Sequence, residues 1–180
     1  MSTELIIESG MKFGPFPEGH CFHIEKSNCY AAIQKNVKMA EFLLIPPNKS
    51  EPVIYVVEAK SSSPKPETQP NFEEFVDSTR DKFVNAFSLG FACRLSRHPE
   101  AEAELPDGFK NLDLSTVNVK FVLVIKGHKD EWLQPLQDAL GLRLRSITKT
   151  WRLSPLSVAV MNEVHAQQRG LIQPFRKTEA

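Results

Sequence analysis

Net charge is the first thing this sequence lacks. Its 22 lysines and arginines are matched by 22 aspartates and glutamates. No overall basic field draws the chain to nucleic acid, so any such contact must come from a local patch. Cysteine is scarce as well: three residues, an odd number, make no disulfide framework and fit a reducing cytoplasm. No apolar stretch approaches the roughly 20 residues that cross a bilayer. The N-terminus has no basic region followed by a long apolar run, so neither a membrane contact nor a signal peptide is expected. Internal repeats and low-complexity segments are absent. What is there is 180 residues, 41% hydrophobic and 24% charged, an ordinary globular composition with enough chain for a core without staples. A single domain over residues 1–180 is the simplest reading.

The strongest local signal is 53–63, which begins Val53-Ile54-Tyr55-Val56-Val57 and ends Glu58-Ala59-Lys60 before three serines. A mostly β-branched apolar run reads as a strand buried on both faces. Residues two apart on a strand point to one side, so Glu58 and Lys60 emerge together where the core stops. A second strand is expected over 37–45, ended by Pro46, Pro47 and Asn48 in a turn that makes an antiparallel hairpin with the first. From residue 71 to about 94 the period becomes helical, with Phe72, Phe75, Val76, Thr79, Phe83, Ala86, Phe87 and Gly90 on one stripe. A third apolar strand spans 117–125.

The weaker signals fill the gaps. Residues 4–8 read as an edge strand, 10–19 as a Gly/Pro-rich loop, and 21–25 as a half-buried strand. Ser27 can cap a helix to about 34 with Tyr30 and Ile33 inward. Loops are expected over 61–70 and 98–111, the latter acidic and solvated. Asp130 can cap a helix carrying Trp132, Leu133, Leu136 and Leu140. A late strand over 157–161 and a helix from Asn162 to about 169 precede a polar tail after Pro174. The pattern predicts an α/β fold, a mixed central β-sheet flanked by helices on both faces.

Glu41 gives the pair at 58 and 60 a partner. It lies inside Met39-Ala40-Glu41-Phe42-Leu43-Leu44-Ile45, where an ionised carboxylate is costly unless it is paired or bound to a cation. Across a hairpin, Glu41 and Glu58 can converge near one end of the sheet. Two such carboxylates make a hard oxygen site suited to Mg²⁺ or Mn²⁺, and Lys60 could then orient a water or offset charge developing on a phosphate. The bland alternatives are a salt-bridged strand end facing solvent for Glu58 and Lys60, and a structural ion pair of Glu41 with Lys60 or Lys38.

Glu41, then strand, turn, strand and Glu58-Ala59-Lys60, followed by the helix over 71–94 and the strand over 117–125, resembles the PD-(D/E)xK nuclease superfamily, the restriction-endonuclease-like fold. The resemblance implies divalent-metal-dependent cleavage of DNA, or of RNA, with Glu41 and Glu58 as metal ligands and Lys60 as the catalytic lysine. It also implies a further catalytic glutamate, for which Glu25 is the candidate, and polar contacts from the helix after the motif, for which Lys82 and Asn85 are the candidates. The nuclease-like core would cover about 20–127, with a helical and strand extension over 128–180. A homodimer or a protein partner would supply targeting. The sequence departs from the family in having Glu rather than Asp as the first acid, and Ala40 where Pro is common. Some members of the superfamily bind nucleic acid without cutting it, so an inactive binding or protein-interaction module is the alternative, and an unrelated α/β protein the further rival.

Three features stand apart. His20, Cys21, His23 and Cys29 are close in sequence, but their spacing matches no zinc motif. Cys93, Trp132 and Trp151 read as core residues. Beyond Gly141 the chain is locally basic, and Arg145, Lys149 and Arg152 fall at helical spacing, where they could meet phosphates or simply form an exposed helix face.

Overall fold

The computed structural model describes residues 5–47 and 49–173. Glu4 of the expected edge strand, Asn48 of the expected turn and the polar tail from Pro174 lie outside them. In chain order the strands are β1 (Ile6–Glu8), β2 (Met11–Phe13), β3 (Cys21–Phe22), β4 (Phe42–Leu44), β5 (Val53–Lys60), β6 (Asn118–Ile125) and β7 (Val158–Asn162). The helices are α1 (Asn28–Ala31), α2 (Asn71–Arg94), α3 (Ala101–Glu104), α4 (Asp107–Lys110), α5 (Asp130–Arg143), α6 (Arg145–Thr150) and α7 (Glu163–Gln168), and a 3-10 turn, Ile24–Lys26, precedes α1.

The fold is the expected mixed α/β type. Strands β3 to β7 form one sheet in sequence order. Pairing is antiparallel from β3 to β5 and parallel from β5 to β7. Each parallel step needs a long crossover, which α2 supplies between β5 and β6 and α5 between β6 and β7. The apolar runs 53–57 of β5 and 121–125 of β6 have no polar face because both sides are covered. Ile54 and Val56 of β5, with Phe121, Leu123 and Ile125 of β6, join the core under α2 and α5. Val57, Ala59, Val122 and Val124 join a second core under the β1–β2 hairpin and α7.

Helix α2 buries the stripe its period predicts. Phe83 and Phe87 lie 5.5 and 6.1 Å from the Phe121 ring, and burying each such side chain contributes about 1.5–3 kcal/mol. The helix approaches β4 closely at Gly90, where a Cβ would come 2.5 Å from the Leu43 Cδ1. That approach brings the flank of α2 down over the end of the sheet.

Several local expectations change. The segment 10–19 holds β2, because Ser9 and Gly10 both take positive φ (51° and 74°) between the paired Glu8 and Met11, the backbone of a type I′ hairpin turn. The strand expected over 37–45 shrinks to Phe42–Leu44. The preceding carbonyls find partners outside any ladder: Val37 O accepts from the Tyr30 hydroxyl at 2.8 Å and Lys38 O from the Asn85 amide at 2.9 Å. The strand expected over 21–25 turns after Phe22 into the 3-10 turn, and the helix from Ser27 ends at Ala31. Its cap is as expected, the Ser27 Oγ accepting from the Tyr30 N–H at 3.0 Å.

The acidic loop is not all solvated: the Glu104 carboxylate accepts from the N–H groups of Asn28 and Cys29 at 2.8 and 3.2 Å, holding the start of α1. Asp130 is the first residue of α5 rather than its cap; its carboxylate accepts from Asn162 at 2.7 Å. Asn162 caps α7 as expected. Cys93 is core, but Trp151 is 49% exposed against Phe87 and Phe91, and Trp132 is half-buried beneath Lys65 and Lys129. Among the described residues no helix is long and apolar enough to cross a membrane.

Candidate metal centre on the central sheet

Alternation along β5 places Glu58 on the face of Ile54 and Val56, toward α2. The side chain is fully buried, at 0% exposure, which removes the solvent-facing salt bridge as its explanation. Its Oε1 meets the Lys60 and Lys82 ammonium groups at 2.8 Å each. Lys82 arrives from the flank of the apolar stripe on α2. The Glu58 Oε2 is buried without a hydrogen-bond partner. Burial pushes the Glu58 carboxyl above its ordinary range, against the pull of Lys82 and then Lys60. Burial would lower Lys82, but the Glu58 carboxylate outweighs it and leaves that ammonium raised.

Glu41 reaches the same place from the next strand. It precedes Phe42, whose register partner is Val57, so its neighbour across the strands is the Glu58 end of β5. Its N–H donates to Val57 O at 3.0 Å and its carbonyl accepts from the Glu25 N–H at 3.3 Å. Those two bonds tie the 3-10 turn, the start of β4 and the end of β5 into one corner. Glu41 is 6% exposed and its Oε2 is buried without a partner. Lys38, one of its suggested counter-ions, lies instead 4.0 Å from Asp81.

Burial, a hydrogen bond with the Glu25 carboxyl and the charges of Glu58, Glu25 and Glu8 raise the Glu41 carboxyl from 4.5 to about 9. Two buried carboxylates with one free oxygen each, approaching from adjacent strands, are hard donors of the kind a divalent cation takes. The donor set fits Mg²⁺ or Mn²⁺.

Glu58 and Lys60 are thus in contact, and Glu41 and Glu25 are tied by backbone bonds to the same corner, although among the described residues the ligand atoms of Glu25, Glu41 and Glu58 do not all lie within 4.8 Å of one another. Lys82, expected as a nucleic-acid contact, is turned inward onto Glu58. Asn85 is spent on Lys38 O. Arg145, Lys149 and Arg152 are not part of this corner. They line an open groove with Ser154 and Ser157 at the start of β7, the end where β5 and β6 also begin, whereas Glu58 and Lys60 leave the other end. They are not one helix face either, since α6 ends at Thr150 and Arg152 takes a positive φ of 50°.

Two further residues reach this corner, Glu8, which carried no signal in the chain, and His23, weighed there only with His20, Cys21 and Cys29. Glu8 comes from the β1–β2 hairpin, and His23 from the segment before the 3-10 turn. One ligand atom each of Glu8, His23 and Glu25 lies within 4.8 Å of the others. The Ser9-Gly10 turn could have revealed the hairpin, but not where it docks. Burial, then Lys26, lowers the His23 ring against the pull of Glu8 and Glu25. Among the described residues His20, Cys21, His23 and Cys29 do not converge; the His20 Nδ1 lies 2.9 Å from Ile45 O. Compared with protein-family models, curated proteins and solved structures, the chain matches none.

Proposed function

We propose that the protein is a divalent-metal-dependent nuclease of the PD-(D/E)xK type that hydrolyses phosphodiester bonds, with DNA favoured over RNA. The observation that carries this reading is the pair of buried carboxylates, Glu41 and Glu58, each with an unpartnered Oε2, at the strand end that also presents Lys60. Retaining two such groups without an ion is costly. A corner outside the carboxyl ends of parallel strands is also where open α/β sheets take their ligands.

Glu41 and Glu58 would hold Mg²⁺ or Mn²⁺, with Glu25 beside them. The chemistry such an ion supplies when bound is polarisation of a phosphoryl oxygen and acidification of water. Lys60 orients the attacking water, and Lys82 shares with it the stabilisation of charge growing on the phosphate. Both lysines are held in place beforehand by Glu58 Oε1. The free cysteines, two of them buried, agree with a cytoplasmic setting, and a second copy or a protein partner would direct the enzyme to its substrate.

One observation favours a second reading. Glu58 is already neutralised by two ammonium groups at 2.8 Å, as in an inactive nuclease-fold protein that binds nucleic acid or another protein. Supercoiled DNA, linear DNA and single-stranded RNA incubated with Mg²⁺, Mn²⁺ or EDTA separate the two. Cleavage that needs the metal and falls about 10²-fold or more in Glu58→Gln and Lys60→Ala supports the nuclease. Binding without cleavage, unchanged in both variants, supports the module.

A further inference from the structure

Beside the Glu41–Glu58 pair lies a group with different donor chemistry. Glu8 is delivered by β1, His23 by the chain after β3, and Glu25 by the 3-10 turn. The three ligand atoms, two carboxylate oxygens and an imidazole nitrogen, lie within 4.8 Å of one another. Ligands on one ion at about 2.0–2.2 Å can be up to roughly 4 Å apart, so closing the group needs side-chain shifts of under an ångström. The hairpin that carries Glu8 is fixed rather than loosely draped: Ser9 Oγ donates to Ala59 O at 3.1 Å, beside Glu58 on β5.

Two orphaned atoms point to a ligand here. The His23 Nε2 is buried without a hydrogen-bond partner, and its nearest acid is the Glu8 Oε1 at 3.8 Å. The Glu41 Oε2 is likewise buried without a partner on a residue only 6% exposed. Glu41 adjoins the group through its backbone, its carbonyl accepting from the Glu25 N–H at 3.3 Å. Lys26 lies 3.2 Å from Glu8. It is 63% exposed, and so can release that carboxylate to a stronger cation.

We propose that Glu8, His23 and Glu25 form a binding site for a first-row transition dication. The imidazole sets the class: nitrogen with carboxylates suits Zn²⁺, Co²⁺ or Mn²⁺, whereas Mg²⁺ and Ca²⁺ take oxygen ligands. The site shares Glu25 with the nuclease reading but does not rest on it.

Co²⁺ added to the full-length protein tests it, followed by visible absorption and by paramagnetic broadening of the histidine ring signals in NMR. The expected result is saturable binding that broadens the His23 signals ahead of those of His128 and His165. Glu8→Gln and His23→Ala should each weaken that binding at least about tenfold, with Glu58→Gln weakening it less than either. Excess Mg²⁺ should not displace the ion. Broadening that bypasses His23, or Co²⁺ affinity unmoved by both Glu8→Gln and His23→Ala, would overturn the proposal. Glu8→Gln, on a half-buried hairpin residue, keeps the question open to measurement should His23→Ala fail to fold. Metal-dependent DNA cleavage that survives a negative outcome leaves the nuclease reading intact.

Discussion

Replacing Glu41 by glutamine should stabilise the metal-free protein in alkali and leave it almost unchanged in acid. The carboxyl is raised from 4.5 to about 9 by burial, by Glu25 and by neighbouring charge. Below about pH 4.5 both folded and unfolded chains carry the proton, and glutamine mimics the protonated acid. Between those values the unfolded chain releases the proton and the folded chain keeps it. The unfolded state then binds fewer protons, so stability falls as pH rises, by up to about 1.4 kcal/mol per pH unit. Stability from this group is thus fully present below about pH 4.5 and lost by about pH 9. From about pH 5 to pH 8 the limit is about 4 kcal/mol. An advantage of about 2–4 kcal/mol is expected for Glu41→Gln at the alkaline end. Urea unfolding in EDTA at intervals across that range measures it. A constant difference between wild type and variant, within about 0.5 kcal/mol throughout, refutes the reasoning. Mn²⁺ at about 100 times its dissociation constant should restore about 2.7 kcal/mol to the wild type and much less to the variant.

Other substitutions probe the parts that build the corner. Lys82→Met leaves the fully buried Glu58 with Lys60 alone and should cost about 3–5 kcal/mol in urea unfolding. Adding Glu58→Gln should recover part of that loss, and a single-variant loss below about 1 kcal/mol would contradict the pairing. Gly90→Ala gains helix propensity but drives a methyl against Leu43 Cδ1. A net loss of about 1–2 kcal/mol is expected, reduced when Leu43→Ala is added, whereas a stabilised single variant would refute the close approach. Ser27→Ala removes a cap from α1 and a bond to Ile24 O at 2.7 Å. Thermal or urea unfolding should show a loss of about 1–2 kcal/mol, and no loss would mean the cap is idle.

Much of the frame was legible because burial on two faces leaves a strong mark. The apolar runs of β5 and β6 and the helical stripe of α2 needed no tertiary information, and Glu41 and Glu58 drew notice as charges set among apolar neighbours. What was hidden depended on backbone geometry or on docking. The I′ turn at Ser9-Gly10 makes a hairpin of what composition marks as loop. The carbonyls of Val37 and Lys38 are taken by the Tyr30 hydroxyl and the Asn85 amide, so the start of a strand-like sequence does not become a strand. Lys82 was visible as polar and next to the stripe, but its contact with Glu58 depends on how α2 packs over β5. Arg145, Lys149 and Arg152 kept helical spacing across a helix end. Glu8 and His23 meet only because the hairpin seats beside β5, which no local pattern records.

The central claim is that Glu41 and Glu58 share a divalent cation. Its most direct test is a crystal soaked in Mn²⁺ and inspected for anomalous density at this corner. The account predicts a peak about 2.1–2.6 Å from an oxygen of each carboxylate, reduced or absent in Glu58→Gln crystals. Mn²⁺ density confined to exposed carboxylates, with Glu41 and Glu58 bare at saturating metal, would contradict it.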